Sequence, residues 1–321
     1  MRKAALLYNP DSGGKSAKRQ REVESAVAVL RAGGVEAELV PTESRNHGEA
    51  ATRRAIATGC DTIFACGGDG TIHNIAQVLA NSPIALGILP MGTANCLGHD
   101  LGLPLNVEGA AKAALHAVPR RIALGRVQYL DFQGNRDARY FVVVAGVGVD
   151  GHLFYKLHSG AKQRMGIAAY YAKAWRLWFS YPMTWFVAEY VESGSDRVQA
   201  ADVTELMSIR IRNFGGVLQE LAPGASLDRD DMRLAFCRTD SRLAYLAYVT
   251  RGMLRRPWKI PGIDLVYGSR VVCRYQAGLA ATPERQRKIY VEADGELLGT
   301  LPIEITIEPN ALTLLAPSGS L

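Results

Sequence analysis

Three glycines and one aspartate lie together in the segment Gly67–Thr71, which reads GGDGT. Glycines let backbone N–H groups approach an anion closely, because no Cβ atom stands in the way. The segment follows an apolar run at 61–66 and precedes residues 72–80, whose apolar positions fit one helical face. A helix start adds unpaired N–H donors and the positive end of the helix dipole. Asp69 would repel a phosphate unless it held a cation, so the segment predicts a site for a magnesium-bound polyphosphate. A tight turn without any ligand is the alternative.

The segments around this loop predict a parallel, doubly wound α/β sheet. Apolar runs of strand length alternate with helical patterns from residue 4 to residue 95. In such sheets, ligands bind beyond the carboxyl ends of the strands. Four segments that follow predicted strand ends should therefore converge on one crevice: Asn9–Gly13, Thr42, Gly67–Thr71 and Gly92–Asn95.

From about residue 122 the pattern changes to many short β-rich runs, which favour an all-β, antiparallel sandwich or barrel. We place the domain boundary near residue 123, with a nucleotide-binding domain at 1–123 and a sandwich-like substrate domain at 124–307.

One helical pattern, at 164–178, mixes aromatic residues with Lys173 and Arg176. It either packs on the sandwich or forms a surface for acyl chains, because aromatic and cationic residues favour the membrane boundary. The segment 251–259 gives a second cue of this kind, and a solvated loop is its alternative.

Four short motifs resemble those of one group of kinases. The GGDGT segment is similar to the signature shared by diacylglycerol kinases, sphingosine kinases and NAD kinases. Asn9–Gly13 resembles the NPxSG motif of the lipid-kinase branch, Pro90–Asn95 resembles its PxGTxN motif, and Asp294–Glu296 resembles its late DGE motif. The four motifs follow the family's order. The resemblance implies a bacterial lipid kinase of the diacylglycerol kinase family, with an NAD-kinase-like first domain to which residues 308–321 return.

The resemblance also implies roles for individual residues. Glu296 would be the general base that takes a proton from a lipid hydroxyl, and Asp69 would hold Mg²⁺, through water, with ATP. The catalytic residues are thus expected to be Glu296 and Asp69, and the cofactors ATP and Mg²⁺. A hairpin turn is the alternative role for the Asp-Gly pair before Glu296. The nucleotide contacts would be Asn9, Pro10, Asp11, Ser12, Gly13, Thr42, Gly67, Gly68, Asp69, Gly70, Thr71, Asn74, Gly92, Thr93 and Asn95.

The chain departs from the family at three positions. Relatives often carry aspartate directly after PxGTxN and in an Ile-Asp-Leu step, and these aspartates support the magnesium network; here the positions are Cys96 and Ala123. Relatives also have a Pro-x-Ala-x-Leu-Asp-Asp-Gly turn whose second aspartate binds a structural metal. Arg229 stands at that position and cannot bind a cation. Asp228 is then a candidate substitute ligand, since carboxylates suit magnesium; alternatively, Arg229 fills the charge role itself by pairing with neighbouring aspartates.

Composition limits the partners of the chain. It has 321 residues, 48% of them hydrophobic, and a net charge of +6, which favours nucleotides or acidic lipid surfaces. No basic run or known fold signature suggests a nucleic-acid partner. Five scattered cysteines form no C-x-x-C pair, which argues against zinc and disulfide frameworks, and G-x-S-x-G is absent. With no signal peptide and no long apolar run, we expect a cytoplasmic protein that touches the inner face of the membrane. A homodimer is the default among oligomers.

Three functions remain open at this point. The first is an ATP-dependent lipid kinase that phosphorylates diacylglycerol or a related lipid, such as a sphingoid base, ceramide or phosphatidylglycerol, in lipid metabolism. The second is a catalytically silent nucleotide or lipid sensor, which Cys96, Ala123 and Arg229 motivate. The third is an NAD-kinase-like small-molecule kinase, against which the motifs at 9–13 and 294–296 speak.

Overall fold

The computed structural model describes residues 1–10, 16–42, 48–149, 183–216, 219–256, 258–276 and 288–319. The motif residues Asp11, Ser12 and Gly13 and the predicted aromatic helix at 164–178 lie outside the described residues. Within them, the elements form two regions, a helix-flanked parallel sheet and a strand-rich region, which share one hydrogen-bonded sheet network.

The first region alternates strands and helices. Its elements are β1 (Lys3–Tyr8), α1 (Ser16–Ala32), β2 (Glu36–Pro41), α2 (Gly48–Ala57), β3 (Thr62–Gly67), α3 (Asp69–Leu79), β4 (Ala85–Pro90), α4 (Cys96–Asp100) and α5 (Val107–Leu115). The strands are parallel, in the order β2-β1-β3-β4.

The parallel sheet is buried on both faces. Successive side chains of a strand point to opposite faces. Leu6 accordingly packs with Val23 and Leu30 of α1, whereas Leu7 packs in a separate cluster with Ile72 and Ile75 of α3. Helices on both faces explain why these strands read as continuous apolar runs in the sequence.

The second region consists mainly of antiparallel strands. Its elements are β5 (Val118–Leu130), β6 (Arg136–Phe141), β7 (Val144–Val147), β8 (Phe186–Glu192), β9 (Val198–Val203), β10 (Glu205–Ile209), β11 (Met232–Cys237), α6 (Arg242–Leu254), β12 (Ile263–Tyr275), β13 (Tyr290–Ala293) and β14 (Glu296–Ala316).

Six of these strands close into a ring around an apolar core. The pairings run β14-β13-β7-β10-β11-β12 and return from β12 to β14. The core inside includes Phe186, Phe236 and Ile305. β8 extends the sheet outward from β12, and β9 pairs with β8.

β14 connects the two regions. Its first half belongs to the ring, while Thr313 and Leu314 near its end pair in parallel with Ala85 and Leu86 of β4. β5 runs antiparallel to β14 over nearly its whole length. The predicted combination of an α/β region with a strand-rich region is confirmed, whereas the domain boundary near residue 123 stays a prediction. None of the helices in the described part of the chain is long and apolar enough to cross a membrane.

Candidate active site

Two glycine loops pack against each other at the carboxyl ends of β3 and β4. The register of the two strands pairs Gly67 with Pro90, and the Met91 N–H donates to the Gly67 carbonyl over 2.9 Å. A Cβ atom added to Gly68 would lie 3.0 Å from the Cα of Gly92, and one added to Gly92 would overlap Gly68. The two loops can therefore approach this closely only because both positions are glycine.

Asn95 fixes the shape of the second loop. Its Oδ1 accepts a hydrogen bond from the Gly92 N–H at 2.8 Å, and its Nδ2 donates to the Gly92 carbonyl at 3.0 Å. Asn95 adopts the left-handed conformation, with φ 50°, which asparagine tolerates better than most residues. Thr93 lies exposed on the same loop. In the structure the Asn95 amide hydrogen-bonds the Gly92 backbone. A contact between Asn95 and the nucleotide stays a prediction.

The ends of β1 and β2 add residues to the same edge. Both the backbone N–H and the hydroxyl of Thr42 donate to the Tyr8 carbonyl, at 2.8 and 3.2 Å. Tyr8 pairs with Pro41 on one side and with Cys66 on the other, so Asn9 and Pro10 follow at the level of the glycine loop. The described parts of the four predicted segments thus meet at one edge of the sheet.

The helix α3 presents Asp69, Thr71 and Asn74 from its first two turns. The Thr71 side chain occupies the space where a Cβ of Gly67 would lie, so the first glycine accommodates the hydroxyl. Asn74 lies 3.6 Å from the place a Cβ of Gly48, at the start of α2, would take. The two helix starts are therefore neighbours at the edge of the crevice.

Asp69 lies in an environment that disfavours its charge. Burial raises the pKa of its carboxyl, and the nearby charge of Asp294 raises it further, although the backbone amides of Cys96 and Leu97 act in the opposite direction. Its Oδ1 is buried and accepts no hydrogen bond from the described residues. A buried carboxylate oxygen without a partner, beside a second carboxylate, suits a divalent cation such as Mg²⁺. Asp69 would hold that cation when it is bound.

The Asp-Gly-Glu motif forms a tight hairpin that reaches this loop. Asp294 and Gly295 have φ values of 48° and 82°, and Ala293 of β13 pairs with Glu296 of β14. Two successive positive φ values are typical of a two-residue hairpin turn, for which Asp-Gly is a favoured pair. A Cβ atom on Gly70 would lie 3.2 Å from Oε1 of Glu296. The hairpin therefore brings the Glu296 carboxylate directly over the glycine loop.

Asp294 itself is anchored by backbone groups from a different part of the chain. Its carboxylate accepts hydrogen bonds from the N–H groups of Val142, Val143 and Val144 at 2.8 to 3.0 Å. Its own N–H donates to the Val144 carbonyl at 2.9 Å. Nδ1 of His73 on α3 lies 3.4 Å from Oδ2 of Asp294, and both side chains are 3% exposed. Three N–H groups therefore hold the buried Asp294 side chain in a fixed position.

A partly buried chain of polar contacts continues from His73 into the second region. Nε2 of Gln77 lies 3.5 Å from Nε2 of His73, and the Gln77 amide exchanges two 2.9 Å hydrogen bonds with the backbone of Tyr140. Sequence reasoning named the motif that contains Asp294 but gave no role to Asp294, His73 or Gln77. The spacing of His73 and Gln77, one helical turn apart, was the available signal, but their partners lie far away in the sequence.

Cys96 occupies the position at which the family resemblance leads us to expect aspartate. Burial raises the pKa of its thiol to about 12, with further contributions from the charges of Asp69 and Asp294. Cys96 is therefore a neutral thiol near neutral pH and adds no third negative charge to the site.

The turn at which the resemblance implies a structural metal holds an ion pair instead. Nε and Nη2 of Arg229 contact the two carboxylate oxygens of Asp231 at 2.6 and 2.7 Å. Asp228, the candidate metal ligand, lies exposed, and its N–H donates to Ser226 Oγ at 3.2 Å. Within the described ranges, no group of three or more His, Cys, Asp or Glu side chains is arranged to hold a metal. The role predicted for Asp228 stays a prediction.

Comparisons with known proteins agree with this geometry. Residues 3–127 match the family model "Diacylglycerol kinase catalytic domain". Two curated proteins named "Diacylglycerol kinase", from Staphylococcus aureus strains RF122 / ET3-1 and MRSA252, are each 26% identical over 320 residues, covering 99% of this chain and 93% of their own.

Solved structures show the same fold. The crystal structure of a diacylglycerol kinase from Bacillus anthracis str. Sterne superposes with a TM-score of 0.69 at 17% identity, and a second crystal structure from that strain superposes with 0.74 at 18% identity. Each comparison covers 99% of this chain and 98% of the other. Residues 3–127 thus match the diacylglycerol kinase catalytic domain, and the chain is similar over nearly its whole length to proteins named diacylglycerol kinase.

Proposed function

We propose that the protein is an ATP-dependent lipid kinase that transfers the γ-phosphoryl group of ATP to a hydroxyl of diacylglycerol or a chemically related lipid. The observation that carries the proposal is the position of Glu296, whose Oε1 lies against Gly70 in the glycine loop. A carboxylate there, beside a phosphate-binding turn, is what a kinase needs to accept a proton from the attacking hydroxyl.

Each part of the site has a role in this reaction. The glycine loops at 67–71 and 92–95 offer backbone N–H groups to phosphate oxygens. When bound, Mg·ATP supplies the transferable group and neutralises phosphate charge, and Asp69 with its unpartnered Oδ1 is the residue that would hold the cation. Glu296 takes the hydroxyl proton as the new O–P bond forms and the bond from the γ-phosphorus to the bridging oxygen breaks, which releases ADP. Asp294 holds the hairpin in place through the Val142–Val144 amides.

The reaction is tested by magnesium-dependent ATP consumption on mixed micelles that contain diacylglycerol, monoacylglycerol, sphingosine, ceramide or phosphatidylglycerol. We expect turnover with at least one of these lipids. Glu296→Gln should lower kcat about 10²–10⁴-fold, because loss of a general base removes a contribution of that size. Glu304→Gln is the matched control, since Glu304 lies on the same strand and pairs with Arg270 at the protein surface.

The outcomes separate the three candidate functions. Turnover that collapses in Glu296→Gln supports the lipid kinase. ATP binding without transfer to any lipid would favour the silent sensor, and Cys96→Asp together with Ala123→Asp would then be the variant to assay for restored activity. Turnover of NAD in micelle-free buffer would favour the small-molecule kinase.

We further propose that α6 and the residues after it touch the membrane surface. Leu243, Leu254 and Trp258 are 78%, 55% and 48% exposed, which is unusual for such large apolar side chains. Arg255 and Arg256 lie exposed between them. Apolar side chains beside basic ones suit the boundary of a membrane that contains anionic lipids.

Sedimentation with vesicles of phosphatidylglycerol and phosphatidylcholine tests this surface. The double variant Leu254→Ser/Trp258→Ser should bind at least tenfold more weakly, because burial of each side chain contributes about 1.5–3 kcal/mol. Leu105→Ser is the control, as Leu105 is similarly exposed, at 48%, in the first region. Equal vesicle binding by the wild type, the double variant and Leu105→Ser would exclude α6 as the membrane contact. That result would not bear on the kinase reaction, which is assayed on detergent-dispersed lipid.

A further inference from the structure

One arginine is completely buried where β5, β10 and the turn at 227–231 meet. Arg210 directly follows β10 and has no exposed surface. Its backbone N–H donates to the Val143 carbonyl at 2.9 Å. A buried guanidinium is costly unless its donors are satisfied, so its partners indicate why it is there.

Those partners are backbone carbonyl groups. Nη1 donates to the carbonyls of Arg229, at 2.7 Å, and Asp231; Nη2 donates to the carbonyls of Ala123, at 3.1 Å, and Leu227, at 3.4 Å. The Nε–H has no partner among the described residues. Three alternate carbonyls of one turn therefore converge, with a fourth from β5, on a single positive charge.

Neighbouring carboxylates do not form an ion pair with this guanidinium. The Asp231 carboxylate is engaged by Arg229 and by the Ser193 hydroxyl, at 2.6 Å. Burial lowers the pKa of Arg210 to about 10, while the charges of Asp231 and Asp230 act in the opposite direction. Arg210 therefore stays protonated at neutral pH.

A cluster of carbonyl oxygens around one positive charge is also how proteins hold Mg²⁺ or Ca²⁺. The resemblance places a structural metal at this turn in relatives, but the residues of this chain do not fit one. The carbonyls accept hydrogen bonds from the Arg210 guanidinium. Arg229 occupies the position at which the resemblance implies a ligand carboxylate, and its side chain pairs with the Asp231 carboxylate. Ala123, which has no side-chain ligand, contributes only its carbonyl.

We propose that the Arg210 guanidinium is a built-in replacement for a structural metal ion, and that Arg229 neutralises the acidic side chains of the same turn. The turn at 227–231 is then fixed to β5 and β10 without any metal. The exchange accounts for the departure at Arg229, since the Arg210 guanidinium makes a ligand carboxylate at position 229 unnecessary.

Two hydrogen bonds, both through Val143, connect Arg210 to Asp294 of the candidate active site. Val143 accepts from the Arg210 N–H through its carbonyl and donates its own N–H to Asp294 Oδ1, both at 2.9 Å. A turn that depended on a metal would make this anchor sensitive to chelators. A turn held by arginine keeps it independent of metal supply.

The first test measures metal dependence without relying on activity. Asp69→Asn serves as the background, because it removes the carboxylate that would hold Mg²⁺ at the candidate active site. We expect no metal in stoichiometric amount by elemental analysis after gel filtration, and no change in Tm between EDTA and millimolar Mg²⁺ or Ca²⁺. A bound metal, or a Tm that falls in EDTA and recovers with the ion, would overturn the proposal.

The second test removes the Arg210 guanidinium from the carbonyl cluster. Arg210→Met leaves the carbonyl cluster without a positive charge, and its Tm should fall by roughly 6 °C or more. Arg212→Met is the control, because Arg212 lies two residues further on but its side chain is 72% exposed. If the two variants melted at the same temperature, the role of Arg210 would be excluded.

The double variant Arg210→Ala/Arg229→Asp opens the carbonyl cluster and supplies the carboxylate that relatives have. We expect its Tm to rise with added Mg²⁺ or Ca²⁺, whereas Arg229→Asp alone should show no such rise because the guanidinium still fills the cluster. An equal metal-dependent rise in Arg229→Asp alone would contradict the proposal. Should Arg210→Ala variants fail to fold in EDTA, folding that is rescued by refolding with Ca²⁺ would support it, and failure with either ion would count against it.

Discussion

Asp69 is a residue whose proposed function, holding a cation, lowers the stability of the ligand-free protein. It is held in a partly buried position, near the negative charge of Asp294, and both effects raise its pKa. Nothing in the described residues hydrogen-bonds its Oδ1. Such a carboxylate costs folding free energy when it is ionised, and that cost is reasonable only if a cation is to be bound there.

Asp69→Asn is therefore expected to stabilise the ligand-free protein while it abolishes phosphoryl transfer. The folded pKa lies above the unfolded value of 3.8, so folding takes up a proton between these values, and stability falls as the pH rises through this window. At pH 7 the variant should be more stable than the wild type, because it no longer holds an ionised carboxylate in a partly buried site near Asp294. Urea unfolding at several pH values measures the difference, which should shrink as the pH approaches 3.8.

Asp240→Asn is the control for the loss of one negative charge, because Asp240 is exposed. A lower stability of Asp69→Asn than of wild type at pH 7 would show that its carboxylate is already compensated inside the protein, and the assignment as a cation ligand would lose its basis.

Asp294 acts on the site indirectly, by fixing the hairpin that positions Glu296. We expect Asp294→Asn to keep the hairpin turn, since asparagine also tolerates positive φ. The variant should lower kcat more than KM for ATP, because an amide cannot accept from three N–H groups as a carboxylate does and Glu296 would lose its fixed position. Glu292, which accepts from the Gly295 N–H in the same hairpin at 2.8 Å, offers Glu292→Gln for comparison. An unchanged kcat in Asp294→Asn would remove Asp294 from the catalytic arrangement.

At the scale of elements, the candidate site depends on the contact between the loops that follow β3 and β4. In Gly92→Ala, the new methyl group would overlap the Gly68 backbone and lie 2.8 Å from Asn95 Oδ1. Backbone cannot yield as a flexible side chain can, so the loops must separate. We expect ATP affinity to fall at least tenfold while the protein stays folded, which equilibrium binding and circular dichroism would show.

Gly48→Ala is the matched control, because its Cβ would lie 3.6 Å from Asn74, an ordinary contact. If Gly92→Ala bound ATP as tightly as Gly48→Ala, the close approach of the two loops would not matter for the nucleotide.

The elements of the first region were predictable because each carries its own local signal. The buried strands β1, β3 and β4 are short apolar runs, and β3 ends at Gly67 and β4 at Pro90. The helix α4 was not predicted, because five residues show no periodicity. The helix α6 was also missed, although Ser241 caps it by accepting from the Ala244 N–H at 3.3 Å. Serine before a helix was the signal that could have been used.

The candidate site was predictable only as far as its motifs reach. The hairpin and its glutamate follow from the string Asp294–Glu296, but the anchor of Asp294 consists of backbone amides about 150 residues away, which no motif encodes. The same holds for Arg210, whose partners are carbonyls from two other segments, β5 and the turn at 227–231. Backbone partners leave no trace in side-chain identity, so such sites become visible only in the structure.

At the scale of the whole molecule, β14 makes one folding unit out of two regions. Two of the short β-rich runs in the sequence lie at 303–307 and 312–315, and as separate runs they predict two strands. The structure has one strand whose pairing with β5 shifts register between Glu308 and Leu312, so it bends there and continues. Its first half lies in the ring, and its second half completes the parallel sheet beside β4.

This continuity predicts that both regions unfold together. Ile305 and Leu314 are fully buried in this strand, the first in the core of the ring and the second in the core beside α3. Ile305→Ala and Leu314→Ala should each destabilise by about 2–5 kcal/mol. Because the strand belongs to both cores, we expect calorimetry to show one transition, lowered by either variant, whereas Leu243→Ala, at a 78% exposed position, leaves it unchanged. Two resolved transitions, each lowered by only one of the buried variants, would show that the regions unfold independently and that β14 does not couple them.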